Sequence, residues 1–116
     1  MKKVYKEEDK ANGEVRYFFY CDGCNCTHSV ITNPKRWTFN GNEEKPTFSP
    51  SILVRWVSLP KDLEKDDKGN YVLGTDGRIK GAKDEVCHSF VTDGKIRYLN
   101  DCTHHLKGKT VELEDF

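Results

Sequence analysis

Apolar and polar positions alternate with a period of two in several short runs, which predicts a protein built mainly of β-strands. The run EVRYFFY (14–20) is aromatic and β-branched, and Asn12-Gly13 before it predicts a hairpin turn from a first strand at 3–7. The most apolar run, SILVRWVSL (51–59), carries large side chains at both alternating sets of positions. Because a strand with two apolar faces is typical of the middle of a sheet, we expect 51–59 to be a central strand.

The clearest hairpin lies near the C-terminus, where VCHSFV (86–91) and KIRYLND (95–101) flank the turn Thr92-Asp93-Gly94. Pro46 and Pro50 enclose the short run TFS, which favours an extended or edge path there. Further short strands are predicted at 28–32, 37–39 and 109–113. No internal repeat interrupts this succession of short strands.

The length of 116 residues fits one domain, 1–116, with a polar surface excursion at about 60–85 that is rich in charge and glycine. Only 35% of the residues are hydrophobic while 33% are charged, so the core must be modest. Small domains of this kind gain stability from an added staple such as a bound metal. The predicted fold class is therefore mainly β, a metal-stapled sheet or sandwich with little helix.

Composition argues against several classes of function. Lysine plus arginine and aspartate plus glutamate number 19 each, so the chain lacks the basic footprint of a general nucleic-acid binder. No run approaches the roughly 18 apolar residues that span a bilayer, and MKKVYKEEDK at the start has no apolar run behind it. We therefore expect a cytoplasmic protein without a membrane partner, where cysteines are more often ligands or catalysts than disulfide partners.

A first cluster of candidate ligands follows the strand at 14–20. Cys21 and Cys24 are separated by two residues, a spacing at which two thiolates can fold round one zinc ion, and Gly23 between them eases the tight turn. The segment after Cys24 lacks the helical pattern of a thioredoxin-like redox pair. We therefore predict that Cys21 and Cys24 bind zinc and that His28 aims at the same region.

A second cluster begins at Cys87 and His88, which are neighbours on a predicted strand and so should point to opposite faces. A two-residue Asp93-Gly94 turn would place Cys87 on the face of Cys102. A three-residue loop with a glycine bulge would shift the register and place His88 there instead. Both residues are candidate metal ligands, and the sequence leaves open which of them joins the site.

The segment DCTHH (101–105) supplies the distal candidates. Cys102 and His104 are two residues apart and can converge on one ion from a strand or a tight turn, so we predict both as ligands. Asp101 either caps the turn or orients a ligand histidine through a hydrogen bond. His105 is interpreted as a solvent-facing neighbour.

Taken together, these blocks resemble a family of small uncharacterised phage and prophage proteins rich in cysteine and histidine. Five separated motifs in the same order carry the resemblance: Cys21-x2-Cys24-x3-His28, WTFNG (37–41), PTFSPS (46–51), CHSFV with DGKI (87–91 and 93–96), and DCTH (101–104). The resemblance implies that the Cys/His blocks bind metal. Some relatives carry the label ammonia monooxygenase, which we reject because that activity belongs to a membrane copper complex.

The same resemblance places four residues of the WTFNG and PTFSPS blocks as possible pocket residues, namely Trp37, Asn40, Thr47 and Ser49. The alternative is purely structural, with Trp37 in the core and the prolines as rigid turns. No catalytic residue can be named from the sequence.

Three functions are compatible with these features. The favoured hypothesis is a zinc-binding, phage-type accessory protein that acts as a binding module on a host protein, in the host cytosol if phage-encoded. The alternative is a zinc-dependent hydrolase acting on a small-molecule or other substrate, in which an open coordination position activates water. A metal-free variant of this enzyme would use Cys87 or Cys102 as nucleophile. Single-stranded nucleic-acid binding through a zinc knuckle is less favoured because the net charge is zero.

Overall fold

The computed structural model describes all 116 residues and contains strands and turns but no helix. The strands are β1 (Tyr5–Asp9), β2 (Glu14–Cys21), β3 (Cys26–Asn33), β4 (Thr38–Phe39), β5 (Phe48–Ser49), β6 (Ile52–Ser58), β7 (Lys83–Thr92), β8 (Lys95–Tyr98) and β9 (Thr110–Glu112). The mainly β fold class is thus confirmed. No helix of the structure is long and apolar enough to cross a membrane.

The strands form three antiparallel sheets. One sheet has the order β1-β2-β3, a small one pairs β4 with β5, and the third has the order β6-β7-β8-β9. The predicted hairpin around Asn12-Gly13 is present, with Asp9 paired with Glu14. The prediction that 51–59 is a central strand is wrong: β6 lies at the end of its sheet, and Leu53 and Val57 on it are exposed.

The hairpin between β7 and β8 decides the register that the sequence left open. Val91 pairs with Ile96 and Thr92 with Lys95, so the loop is the two-residue Asp93-Gly94 turn. Both turn residues have positive φ, 51° and 76°, as a turn matching the twist of the strands requires. The inward residues of β7 are consequently Cys87, Ser89 and Val91, all buried, whereas His88 and Phe90 lie on the other face.

The chain divides into two compact units, Met1–Val54 with Val86–Phe116, and Arg55–Glu85. The first holds the core, a single cluster to which both larger sheets contribute large side chains such as Phe19, Val30, Ile96 and Tyr98. Between β6 and β7, the second unit contains isolated bridges between Lys65 and Tyr71 and between Leu73 and Ile79. That the chain is a single domain stays a prediction.

Candidate functional site

The end of β2 and the start of β3 form a knuckle that presents two cysteines. Cys21 ends β2 and pairs with Cys26 at the start of β3, and Cys24 lies in the turn between them. Asn25 adopts a positive φ of 53°, a conformation that asparagine tolerates better than most residues. The turn leaves Cys21 buried and Cys24 half-buried.

Cys87 of β7 and His104 of the segment after β8 complete a cluster with this knuckle. The ligand atoms of Cys21, Cys24, Cys87 and His104 all lie within 4.8 Å of one another. The Cys21 and Cys87 sulfurs are 3.9 Å apart, and Cys87 Sγ is 3.4 Å from His104 Nε2. Zn–S bonds of about 2.3 Å in a tetrahedron separate two sulfurs by about 3.8 Å. The two separations of 3.9 and 3.4 Å are close to those between neighbouring ligand atoms of a tetrahedral ion.

Gly23 and Tyr98 hold the His104 ring against the knuckle. A Cβ atom on Gly23 would lie 2.3 Å from His104 Cε1, so only glycine leaves room for the ring. On the other side the Tyr98 and His104 rings meet edge to face, with centroids 4.5 Å apart. Tyr98 Oη accepts a hydrogen bond from the Gly23 N–H at 3.1 Å and lies 3.2 Å from Cys21 Sγ.

The electrostatics of the cluster favour a cation. Hydrogen bonding from Cys87, assisted by His28 and Tyr98, lowers the pKa of Cys21 to about 3, so that this thiol is ionised. Burial and the Cys21 charge raise the pKa of Cys24 to about 12. The hydrogen bond to Cys21 and burial likewise raise the pKa of Cys87. Three thiols crowded together can hold only one negative charge by themselves, and a divalent ion would stabilise the other two thiolates.

Cys102, although predicted as a ligand, lies outside this cluster. Its Sγ accepts a hydrogen bond from the His88 N–H and donates one to the His88 carbonyl oxygen, both at 3.2 Å. The Cys102 N–H donates to the Leu99 carbonyl oxygen. Cys102 therefore attaches the turn that follows β8 to the main chain of β7 at His88.

The His88 side chain also lies outside the metal cluster, on the opposite face of the sheet. Its Nε2 is 2.9 Å from Ser51 Oγ, and its Nδ1 is 3.0 Å from Asp101 Oδ2. This is a hydroxyl, an imidazole and a carboxylate in one hydrogen-bonded line, with the carboxylate and the hydroxyl on opposite ring nitrogens. The same arrangement activates the nucleophile of serine hydrolases on unrelated folds.

The line of Ser51, His88 and Asp101 is accessible to solvent. Ser51 is half-buried immediately before β6, and the side chains of His88 and Asp101 are 25% and 55% exposed. The chain order Ser, His, Asp differs from the orders found in chymotrypsin, subtilisin and the α/β-hydrolases. A different chain order does not argue against such a site, because the roles and geometry of the residues define it and not their positions in the sequence.

The four predicted pocket residues lie along the segment that leads to Ser51. Trp37 packs on the core, and its Nε1–H donates to the Ser51 carbonyl oxygen at 3.4 Å. Asn40 binds main-chain groups of its own turn, and Thr47 Oγ1 accepts from the Asp93 N–H at 2.8 Å. Ser49 is exposed and pairs with Thr38 in the β4–β5 sheet.

Comparison with known protein families matches residues 1–99 to the model described as "Bacterial ubiquitination-like system serine protease (BubE)". The chain belongs to the BubE family. No curated protein and no solved structure matches the chain. The motifs predicted a family of small phage and prophage proteins, and the match supports only a small bacterial or phage-associated family. A phage origin of this chain stays a prediction.

Sequence reasoning missed Ser51 as a candidate nucleophile in this BubE chain. The motif G-x-S-x-G, which announces the nucleophile of many serine hydrolases, is absent, and Ser51 follows Pro50 instead. The only local signal is the two-residue Asp93-Gly94 turn between β7 and β8. Its register places the His88 side chain on the face of β7 opposite to Cys87. Ser51 can be recognised as a candidate only from the structure, in which β6 lies beside β7 and brings Ser51 next to His88.

Proposed function

We propose that this protein is a serine peptidase in which Ser51 is the nucleophile, His88 the general base and Asp101 the group that orients His88. The observation that carries the proposal is the hydrogen-bonded line from Ser51 Oγ through the His88 ring to Asp101 Oδ2, with distances of 2.9 and 3.0 Å. The serine protease description of the BubE family supports the same chemistry independently of the geometry.

The geometry supports acyl transfer in two steps. His88 Nε2 takes the proton of Ser51 Oγ as the oxygen attacks the carbonyl carbon of a peptide bond. The C–N bond then breaks, and His88 returns the proton to the departing amine. Water next attacks the acyl ester with His88 again as base, which releases the carboxylic acid and restores Ser51. Asp101 holds the ring with Nε2 toward Ser51 and stabilises the charged imidazolium.

For the cluster of Cys21, Cys24, Cys87 and His104 we propose a structural zinc site. Three thiolates and one imidazole are a common zinc donor set, and four protein ligands fill a tetrahedral ion. The bound ion would supply folding free energy by tying the β2–β3 knuckle to β7 and to the segment after β8. Because no coordination position is left for water, this assignment disfavours the zinc-dependent hydrolase considered from the sequence.

The substrate that we propose is a protein or peptide of a bacterial ubiquitination-like system, as the family description suggests. The binding-module, host-protein and nucleic-acid hypotheses rest on the sequence alone and stay predictions.

The proposal is tested by incubating the purified protein with a complex mixture of peptides and identifying new termini by mass spectrometry. Wild-type protein is expected to generate new termini, and Ser51→Ala and His88→Ala to lose at least 99% of this cleavage. The matched control is Ser49→Ala, which removes the other serine of the same segment and should keep wild-type activity. Cleavage that persists in Ser51→Ala and is lost in Ser49→Ala would overturn the assignment.

A further inference from the structure

The outward face of β7, β8 and β9 continues directly from the catalytic histidine. His88, Phe90 and Thr92 alternate along β7 and so share one face of the sheet. Phe90 pairs with Arg97 of β8, which in turn pairs with Thr110 of β9. Arg97 is therefore a diagonal neighbour of His88, at a Cα separation of about 7–8 Å.

Two surface cavities meet at Arg97. The larger, of about 450 Å³, is lined by Phe90, Thr92, Asp93, Lys95, Arg97 and Thr110. The smaller, of about 230 Å³, is lined by Arg97 together with residues that include Asn100, the neighbour of Asp101. The smaller cavity thus reaches the residue before Asp101, and the larger one extends from Arg97 along the same face toward the turn between β7 and β8.

The charges of this face favour an anionic ligand. The Arg97 guanidinium lies over the Phe90 ring, with its carbon 5.1 Å from the ring centroid, and it forms no ion pair with a carboxylate. Stacking on a ring restrains the guanidinium while leaving its N–H donors in the plane available. Lys95 is ion-paired with Glu112 at 4.0 Å and Asp93 is a carboxylate of the cavity lining, so Arg97 is the cation of this face that is left to bind an anion.

We propose that Arg97 forms a subsite that binds a carboxylate of the peptide substrate two to four residues from the scissile bond. Two to four residues of extended peptide span about 7–14 Å, which matches the distance along β7 from His88 to Phe90 and Thr92. Arginine binds a carboxylate through two parallel hydrogen bonds, and the threonine hydroxyls of the same face can donate further ones. The carboxylate belongs to an acidic side chain or to the C-terminus of the peptide. As a substrate contact, the subsite rests on the proposed peptidase function.

The test uses the full chain with Ser51→Ala, so that binding is measured without turnover. Three probe peptides are titrated while amide NMR shifts are followed: Ac-Ala-Ala-Asp-NH2, Ac-Ala-Ala-Asn-NH2 and Ac-Ala-Ala-Ala-OH. At least one carboxylate peptide should bind about tenfold more tightly than the Asn peptide, with shifts centred on Phe90 and Arg97. Preference for the Asp peptide assigns an acidic side chain, and preference for the free acid assigns a C-terminus.

The variant Arg97→Met keeps the packing of the aliphatic stem on Phe90 and should abolish the tenfold preference. Arg36→Met removes an exposed arginine elsewhere and should preserve it. Equal binding of all three peptides, or a preference that survives Arg97→Met, overturns the subsite. Reaction of wild-type Ser51 with a fluorophosphonate distinguishes failure of the subsite proposal from failure of the peptidase proposal. If Ser51 is labelled but no peptide with a carboxylate is preferred, only the subsite proposal is wrong. If a carboxylate peptide is preferred but Ser51 is not labelled, the peptidase proposal is wrong, and so is the role of Arg97 as a substrate contact.

Discussion

Cys87 and His88 are consecutive residues of β7 whose side chains serve two different sites on opposite faces of the sheet. Cys87 Sγ lies 3.9 Å from Cys21 Sγ within the cluster that could hold a metal, and His88 Nε2 lies 2.9 Å from Ser51 Oγ in the proposed catalytic line. The segment after β8 repeats this division, because Asp101 contacts His88 while His104 contacts Cys87. The proposed metal site would therefore tie together the two segments that carry the proposed general base and its orienting carboxylate.

Metal content should depend on the four clustered residues and on no other cysteine. The protein is expected to hold a single zinc ion per chain, and Cys24→Ser to lose it, because one missing ligand opens the site to water and competing chelators. Cys26→Ser, two positions away in the same knuckle, should retain zinc because Cys26 lies outside the cluster. Elemental analysis of dialysed protein measures both. Retention of zinc in Cys24→Ser, or its loss in Cys26→Ser, would disprove the ligand set.

Zinc binding should release about two thiol protons at neutral pH. The pKa of Cys21 is lowered to about 3, so this thiol is already ionised, whereas the pKa of Cys24 is raised to about 12 and that of Cys87 is also raised. Since the ion displaces protons from the latter two, affinity should rise as pH rises and fall as pH falls, by about 100-fold per unit near pH 7–8. Calorimetric titration in buffers of different ionisation enthalpy counts the thiol protons. Release of three would show that Cys21 is protonated in the metal-free protein.

Cys102 should act on catalysis without binding metal. Cys102→Ala removes two hydrogen bonds to the His88 main chain, so the free energy of unfolding should fall by about 1–3 kcal/mol and the catalytic rate should fall with it. Zinc content should stay unchanged. Cys102→Ser restores a donor and an acceptor and should recover most of the rate. Loss of zinc in Cys102→Ala would instead support the ligand role predicted from the sequence.

Asp101 should contribute less than the buried aspartate of a chymotrypsin-like site. Because 55% of its side chain is exposed, water screens its interaction with His88. Asp101→Asn is therefore expected to lower the rate of acylation by about 10- to 100-fold, against the ~10⁴-fold that a buried triad aspartate contributes. Single-turnover kinetics provides the measurement. An unchanged rate would show that Asp101 only caps its turn.

Local signals in the sequence predicted the mainly β fold and placed Cys21 and Cys24 together. The dipeptides Asn12-Gly13 and Asp93-Gly94 predicted the two hairpin turns in which they lie. The two-residue spacing of Cys21 and Cys24 predicted that both cysteines lie in the same knuckle. The remaining features depend on pairing between distant segments. Cys87, and not His88, lies in the cluster that could hold a metal because of the register of one hairpin, and a one-residue slip would exchange them.

Two further residues show why the rest could not be predicted. Cys102 shares its residue type with the three clustered cysteines, and only its contacts with the His88 main chain distinguish it from them. Ser51 lies 37 residues from His88 along the chain, and no motif connects the two. Apolar patterning also misassigned β6, because an edge strand can expose large apolar side chains such as Leu53.

The most direct test of the central claim is reaction of the wild-type protein with a fluorophosphonate probe, followed by peptide mapping of the modified residue. An activated serine hydroxyl attacks the phosphorus and displaces fluoride, whereas ordinary serines are inert. The account predicts stoichiometric modification of Ser51, abolished by His88→Ala and preserved in Ser49→Ala. Modification of Ser49, or no modification of folded, zinc-loaded protein, would contradict it.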